Sequence, residues 1–169
     1  AQSEAATGKP LANFWLHSTH LRMGGRKMSK RTGNVLYVKQ LERMGVSPCC
    51  LRFYLISKRY RSPLDFTMEK FMREIGQCDE TGKTMRALRK LARRSGGSGK
   101  KGDSIARKLL HGFESAMDND LNTTLAFRRI FRVTNEIRKF LSKGKLTPQD
   151  AKCVLHAMEK IDKVLGVFF

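Results

Sequence analysis

TMEKFMREIGQCDETGKTMRALRKLARR, residues 67–94, decides the fold class. Phe71, Ile75, Cys78, Met85, Leu88 and Leu91 recur there at intervals of three, four and seven. Such spacing lays an apolar stripe down one side of a 3.6-residue helix. Thr67 supplies the N-cap hydroxyl. Gly76 and Gly82 weaken the middle of this helix, where a kink is tolerated.

Toward the C-terminus, SGGSGKKG (residues 95–102) reads as a flexible loop between helices. Three further helices follow by periodicity. The first carries Ile105, Leu109, Phe113 and Met117; the second carries Phe127, Ile130, Phe131, Thr134, Ile137 and Leu141. The third opens at Thr147-Pro148 with Asp150 at N3 and carries Val154, Met158, Ile161 and Leu165.

Toward the N-terminus, Ser47-Pro48 is an N-cap and N1 pair, followed by an apolar face of Leu51, Tyr54 and Leu55. Residues 60–66, with Pro63, break that helix, and residues 39–44 form a shorter one ended by Gly45. Val35 to Val38 is read as a brief strand or extended segment, and residues 11–23 as extended or loop structure. The fold class is therefore mainly α: a short extended N-terminal segment and a basic loop, then a helical bundle. The expected division is 1–66 and 67–169.

The charge narrows the partners. Lys and Arg total 34 against 15 Asp and Glu, a formal +19 over 169 residues. Self-repulsion of that size works against compactness, so a polyanionic partner is the simplest account, with RNA the first candidate. No apolar run is long enough to span a membrane, and no membrane partner is expected. Nothing reads as a secretory leader, so a cytoplasmic location is expected. Cys49, Cys50, Cys78 and Cys153 lack metal spacing and read as reduced, mostly buried thiols.

Lys27-Met28-Ser29-Lys30 carries the chemistry. Gly24-Gly25-Arg26 precedes it and Gly33-Asn34 follows, with no acidic residue from Arg22 to Arg31. Two ammonium groups three residues apart, on a loop hinged by glycines, can close around the β- and γ-phosphates of a triphosphate as charge moves to the leaving pyrophosphate. Lysine suits a changing oxygen geometry, where arginine favours a fixed bidentate one. Ser29 can lend a hydroxyl or its backbone N–H.

Basic clusters lie beyond the loop. Arg86, Arg89, Lys90, Arg93 and Arg94 continue into Lys100 and Lys101. Arg128, Arg132 and Lys139 share a face with Arg129 beside it, and Lys58, Arg59 and Arg61 form a third group. Together these are the candidate RNA contacts, acting on phosphates and not on base sequence. Asp118, Asn119, Asp120 and Asn122 lack the glycine and glutamate of a calcium loop, and Asn122-Thr123 reads as a helix cap; no metal is expected.

AQSEAATGKP, NFWLH, KMSKRTGN, YRSPLDFT, AMDNDLNT and the late VLG resemble the cysteinyl-tRNA synthetases in order and approximate spacing, over essentially the whole chain. KMSK alone is a class I synthetase signature; the other stretches point to the cysteine enzymes or a close paralogue. The resemblance implies the stem-contact and helical tRNA-binding region of such an enzyme. It implies that Lys27 and Lys30 stabilise the transition state of adenylate formation, with Ser29 beside the phosphates. It places Trp15 and His17 near the cysteine pocket, core packing being the other reading of Trp15.

The family's zinc ligands and its H-x-G-H adenosine signature fall upstream of the residue matching Ala1. ATP and zinc are thus implied only for a complete synthetase, with no cofactor expected in this chain. Two readings stay open. One is an RNA-binding, synthetase-derived chain on tRNA or on ribosomal RNA in a ribonucleoprotein, not catalytically competent alone. The other is a working part of a cysteine–tRNA ligase joined to a separate catalytic half. Where the family usually has Ser-Leu after KMSK, Arg31-Thr32 makes this loop more basic.

Overall fold

The computed structural model describes residues 2–169, for residue 32 the backbone alone. Among these residues are seven helices, α1 (Gln2–Thr7), α2 (Val38–Arg43), α3 (Pro48–Ile56), α4 (Met68–Ala92), α5 (Lys101–Met117), α6 (Thr123–Ser142) and α7 (Pro148–Leu165). Three short strands, β1 (Leu21–Met23), β2 (Arg26–Lys27) and β3 (Leu64–Phe66), complete the fold. The mainly α expectation holds.

The caps are local chemistry and fall where the sequence puts them. Ser47 accepts from the Cys50 N–H, Thr67 from Lys70, Asn122 from Leu125 and Thr147 from Asp150. α4 runs unbroken through Gly76 and Gly82. Packing on one side supplies what helix propensity there lacks: Phe71, Ile75, Cys78, Met85 and Leu88 are all buried.

The small sheet is ordered β2-β1-β3. Gly24 and Gly25, both at positive φ (59° and 78°), form the two-residue turn that folds β2 antiparallel onto β1. β3 joins β1 in parallel, Leu21 opposite Leu64 and Met23 opposite Phe66. The expected chain break at 60–66 thus contains a strand. Three residues carry too little periodicity to announce one. Of the two readings of Val35–Val38 the strand is not formed: residues 34–37 are irregular, with Tyr37 extended (φ −93°, ψ 140°), and Val38 opens α2. Gln40 Oε1 accepts the Tyr37 N–H at 3.0 Å and fixes the start of that helix.

One apolar core runs from Leu41 to Phe168. Tyr54 meets Phe66 and Phe71 at ring-centroid distances of 5.5 and 5.1 Å, on both sides of the 66/67 division. Phe53 meets Phe127 edge-on at 4.8 Å, tying α3 to α6. α5 packs against α6 and α7, and α7 against α4. The apolar face of α3 differs from expectation: Cys50, Phe53 and Tyr54 are buried and Leu55 is exposed.

α5 starts at Lys101, inside the glycine-rich stretch expected to be loop. Asp150 is the reason. Its Oδ1 accepts the Lys101 and Gly102 N–H groups at 3.0 and 2.6 Å. Its Oδ2 accepts the Thr147 N–H and hydroxyl at 3.0 and 2.9 Å. One buried carboxylate therefore caps two helices. Gly102 is required there, because a Cβ would fall 2.6 Å from the Asp150 Cα.

Candidate nucleotide and nucleic-acid interface

β2 places Lys27 at its end, exposed, and a 3-10 turn over Lys30–Thr32 carries Lys30 and Arg31 outward, also exposed. Among the described residues none of these three cations has an ion-pair partner. Asn34 braces the loop. Its Oδ1 accepts the Ser29 N–H at 2.9 Å and its Nδ2 donates to the Lys27 carbonyl at 3.1 Å. The Ser29 backbone N–H is thereby engaged within the loop. Gly33 at φ 67° closes the turn and donates to the Lys30 carbonyl. Arg22, His20 and Lys27 line a hollow of about 540 Å³ beside the loop. The tetrapeptide thus sits on a braced turn, glycine-hinged at both ends.

Trp15 and His17 lie on the irregular segment before β1, their rings stacked at 6.4 Å and 10°. Trp15 is 64% exposed and neighbouring Phe14 92%, so Trp15 is no part of this chain's core.

The basic clusters divide by what surrounds them. Arg86, Arg89, Lys90, Arg93 and Arg94 are exposed along the C-terminal half of α4 and its end, and Lys100 follows. Among the described residues these six have no carboxylate partner; Arg89 lies over the Phe169 ring at 4.2 Å. Lys101 donates to the Lys145 carbonyl. Arg128, Arg132 and Lys139 are exposed on α6, whereas Arg129 is partly buried and donates to the Gly112 carbonyl at 2.9 Å. That bond gives Arg129 a role in holding α5 on α6.

The third cluster is matched by acids. Lys58 pairs with Glu74 at 3.2 Å, while Arg59 and Arg61 both reach Asp120, at 2.9 and 3.1 Å. The partners of these cations are within the fold. Arg73 was invisible to a reading of charge runs, because it stands alone in sequence. Only the pairing of α4 with α6 sets it beside Arg128 and Arg132, around a hollow of about 680 Å³.

Residues 1–75 match the family described as tRNA synthetases class I (C) catalytic domain, and residues 112–169 match the DALR domain. A cysteine–tRNA ligase of Desulforudis audaxviator is 34% identical over 174 residues, which cover 99% of this chain and 36% of that protein. The Chlamydia pneumoniae cysteine–tRNA ligase is 33% identical, covering 99% and 35%. That of Prochlorococcus marinus (strain NATL1A) is 38% identical over 157 residues, covering 84% and 31%. The chain belongs to the cysteinyl-tRNA synthetase family.

It spans about a third of the length of these curated relatives. Two of the stretches that carry the resemblance to the cysteinyl-tRNA synthetases meet in space. From YRSPLDFT, Tyr60 and Arg61 bind Asp120 of AMDNDLNT. Thr123, the last residue of that stretch, and Thr124 after it donate to the carbonyls of Lys58 and Ser57. Thr19 then donates to Tyr60 and Ser62 carbonyls, linking this joint to the strand that leads into KMSK. Asp120 is therefore a joint residue between the loop region and the bundle, a role its sequence neighbourhood did not announce. Among the described residues no three His, Cys, Asp or Glu side chains converge as a metal site. No helix among them is long and apolar enough to cross a membrane.

Proposed function

We propose that this chain is a basic RNA-contacting part of a cysteinyl-tRNA synthetase-like protein that holds the phosphate backbone of tRNA and does not charge tRNA by itself. The carrying observation is the run of exposed, acid-free cations from Arg86 to Lys100 along the end of α4. Lysine and arginine side chains without carboxylate partners give up only water and counter-ions on meeting phosphate, so their charge is available to the RNA. Arg128, Arg132 and Lys139 extend the contact across α6, while Lys58, Arg59 and Arg61 serve mainly to hold the joint. The cytoplasm is the proposed location, and tRNA the proposed ligand in preference to ribosomal RNA, because tRNA is the substrate class of the family.

Binding of a tRNA transcript, followed by fluorescence anisotropy, tests this. Neutralising about 6–10 phosphates predicts a fall in affinity of about 10³–10⁵ between 50 and 200 mM salt. Arg89→Gln and Arg93→Gln should each lower the salt slope by about one. Salt-independent binding, or tighter binding to ribosomal RNA than to tRNA, overturns the assignment.

The intact KMSK loop favours a second reading, in which the chain works with a nucleotide-binding half in ATP-dependent charging of tRNA with cysteine. Lys27 and Lys30 would then hold the β- and γ-phosphates as pyrophosphate leaves, with Ser29 beside them. Cysteine-dependent ATP–pyrophosphate exchange, reconstituted with an H-x-G-H-bearing half and lost in Lys27→Ala and Lys30→Ala, would establish it. Exchange that survives both substitutions would sink it.

A further inference from the structure

The cleft between α4 and α6 is floored by an aromatic ring and rimmed by guanidinium groups that nothing in the fold consumes. Phe131 lines both of its hollows, of about 680 and 310 Å³. One side of that ring is committed to the core, stacked on Phe127 at 5.9 Å and 23° and meeting Phe53 edge-on at 5.5 Å. The ring nonetheless remains partly exposed, toward the cleft.

Arg73 from α4 and Arg128 and Arg132 from α6 stand around it, all exposed. Among the described residues none of the three makes an ion pair or a side-chain hydrogen bond. The acids at the rim are already matched: Glu74 by Lys58 at 3.2 Å, and Glu80 by Lys83 and Arg138 at 2.7 and 2.8 Å. Three uncompensated positive charges therefore face one cavity. The Gln77 amide lines both hollows, with no hydrogen bond to its side chain among the described residues.

We infer that this cleft takes one unstacked nucleotide of the bound RNA, its phosphate among Arg73, Arg128 and Arg132 and its base against Phe131. The chemistry fits the class. Planar guanidinium groups grip phosphate oxygens in pairs. An aromatic face accepts any base by stacking, and a free amide pairs with a base edge. The larger hollow has the volume of a small-molecule site. A regular duplex offers no splayed base, so the cleft selects single-stranded or looped RNA. An acidic peptide would use the guanidinium groups and leave the ring without a planar partner.

The inference rests on the RNA-contact reading above and is tested so that the two fail separately. The 169-residue chain is titrated, by anisotropy, with a fluorescein-labelled ten-residue oligouridylate and with an RNA duplex of the same length. The single strand should bind at least about tenfold tighter at equal ionic strength. Phe131→Leu should remove about tenfold of that affinity and leave duplex binding unchanged. Should Phe131→Leu unfold the chain, exposed Gln77→Ala gives the same readout with a smaller, several-fold loss. Arg128→Gln and Arg132→Gln should each lower the salt slope by about one.

A 4-thiouridine oligonucleotide should crosslink to the α4 and α6 peptides that line the cleft. Equal affinity for strand and duplex, or folded Phe131 and Gln77 variants that bind the single strand normally, overturns the pocket while leaving the RNA-contact reading intact. A hexaglutamate peptide that displaces the oligonucleotide at lower concentration than mononucleotide does also overturns it. Absence of all RNA binding by the unmodified chain removes both.

Discussion

Asp120 Oδ1 accepts the Tyr60 phenol hydrogen at 2.7 Å, joining residues 60 positions apart in the chain. The same carboxylate holds Arg59 and Arg61 through Oδ2. Asp120 and Leu121 both adopt positive φ (51° and 48°), a conformation that non-glycine residues hold only when their surroundings over-determine it. Here the turn between α5 and α6 is bent so that its carboxylate faces the loop before β3.

Tyr60 reports on this joint by titration. Its hydroxyl is raised above the ordinary tyrosine value, first by donating to Asp120 and then by burial, with Arg61 opposing. Its carboxylate partner is lowered, led by the Tyr60 hydrogen bond and then by Arg61. In Asp120→Asn one tyrosine should therefore ionise at lower pH than in the unmodified chain. Absorbance at 295 nm across about pH 9–12 measures it, and an unchanged titration would contradict the joint.

Asp150→Ala should destabilise the bundle by about 2–3 kcal/mol, because two helix starts lose their acceptor together. Chemical denaturation measures that loss. The pH dependence follows from the same contacts. Burial by itself raises the Asp150 carboxyl, but hydrogen bonds from Thr147, Gly102 and Lys101 outweigh it and leave the group below the usual aspartate value. Its stabilisation is complete above about pH 4, the unfolded aspartate range, and is lost as pH falls through the lowered native value. Asp150→Asn should flatten that part of the acid-unfolding curve.

The thiols should separate by reactivity. Burial pushes the Cys78 thiol far above the ordinary value, with Cys50 and Asp79 adding to it, and Cys50 itself is raised first by burial. Cys49 and Cys153 are partly exposed. At pH 8 a disulfide reagent should label Cys49 first and Cys153, whose thiol is also raised by burial and Asp103, more slowly, leaving Cys50 and Cys78 until denaturant is added. Rapid labelling of all four would show that the α3–α4 packing is absent in solution.

Asn34→Ala should loosen the KMSK turn without unfolding the bundle, since the brace lies outside the core. Amide exchange at Ser29 should speed up by about tenfold or more, while amides in α6 and α7 keep their protection. Unchanged exchange at Ser29 would remove Asn34 from that role.

Much of this was legible in the sequence, wherever the physics is local. Ser47-Pro48, Thr67, Asn122 and Thr147-Pro148 mark helix starts because a cap bonds to amides two or three residues on. The stripes of α4 to α7 are set by the 3.6-residue period. The α3 face was not legible, since PCCLRFYLI is apolar nearly all round; only its neighbours select Phe53 over Leu55. Neither β3, paired with a strand some 40 residues earlier, nor the brace of two helices by Asp150 leaves a local signature.

The basic residues divide in the same way. Sequence alone determined that the chain is strongly cationic, helical, and carries KMSK between glycine hinges. Tertiary structure alone decided which cations are already matched by acids, as at Asp120 and Glu74, and which gather unmatched, as Arg73, Arg128 and Arg132 do. Charge is counted along the chain, but whether an ion is available depends on what folding places within about 4 Å of it.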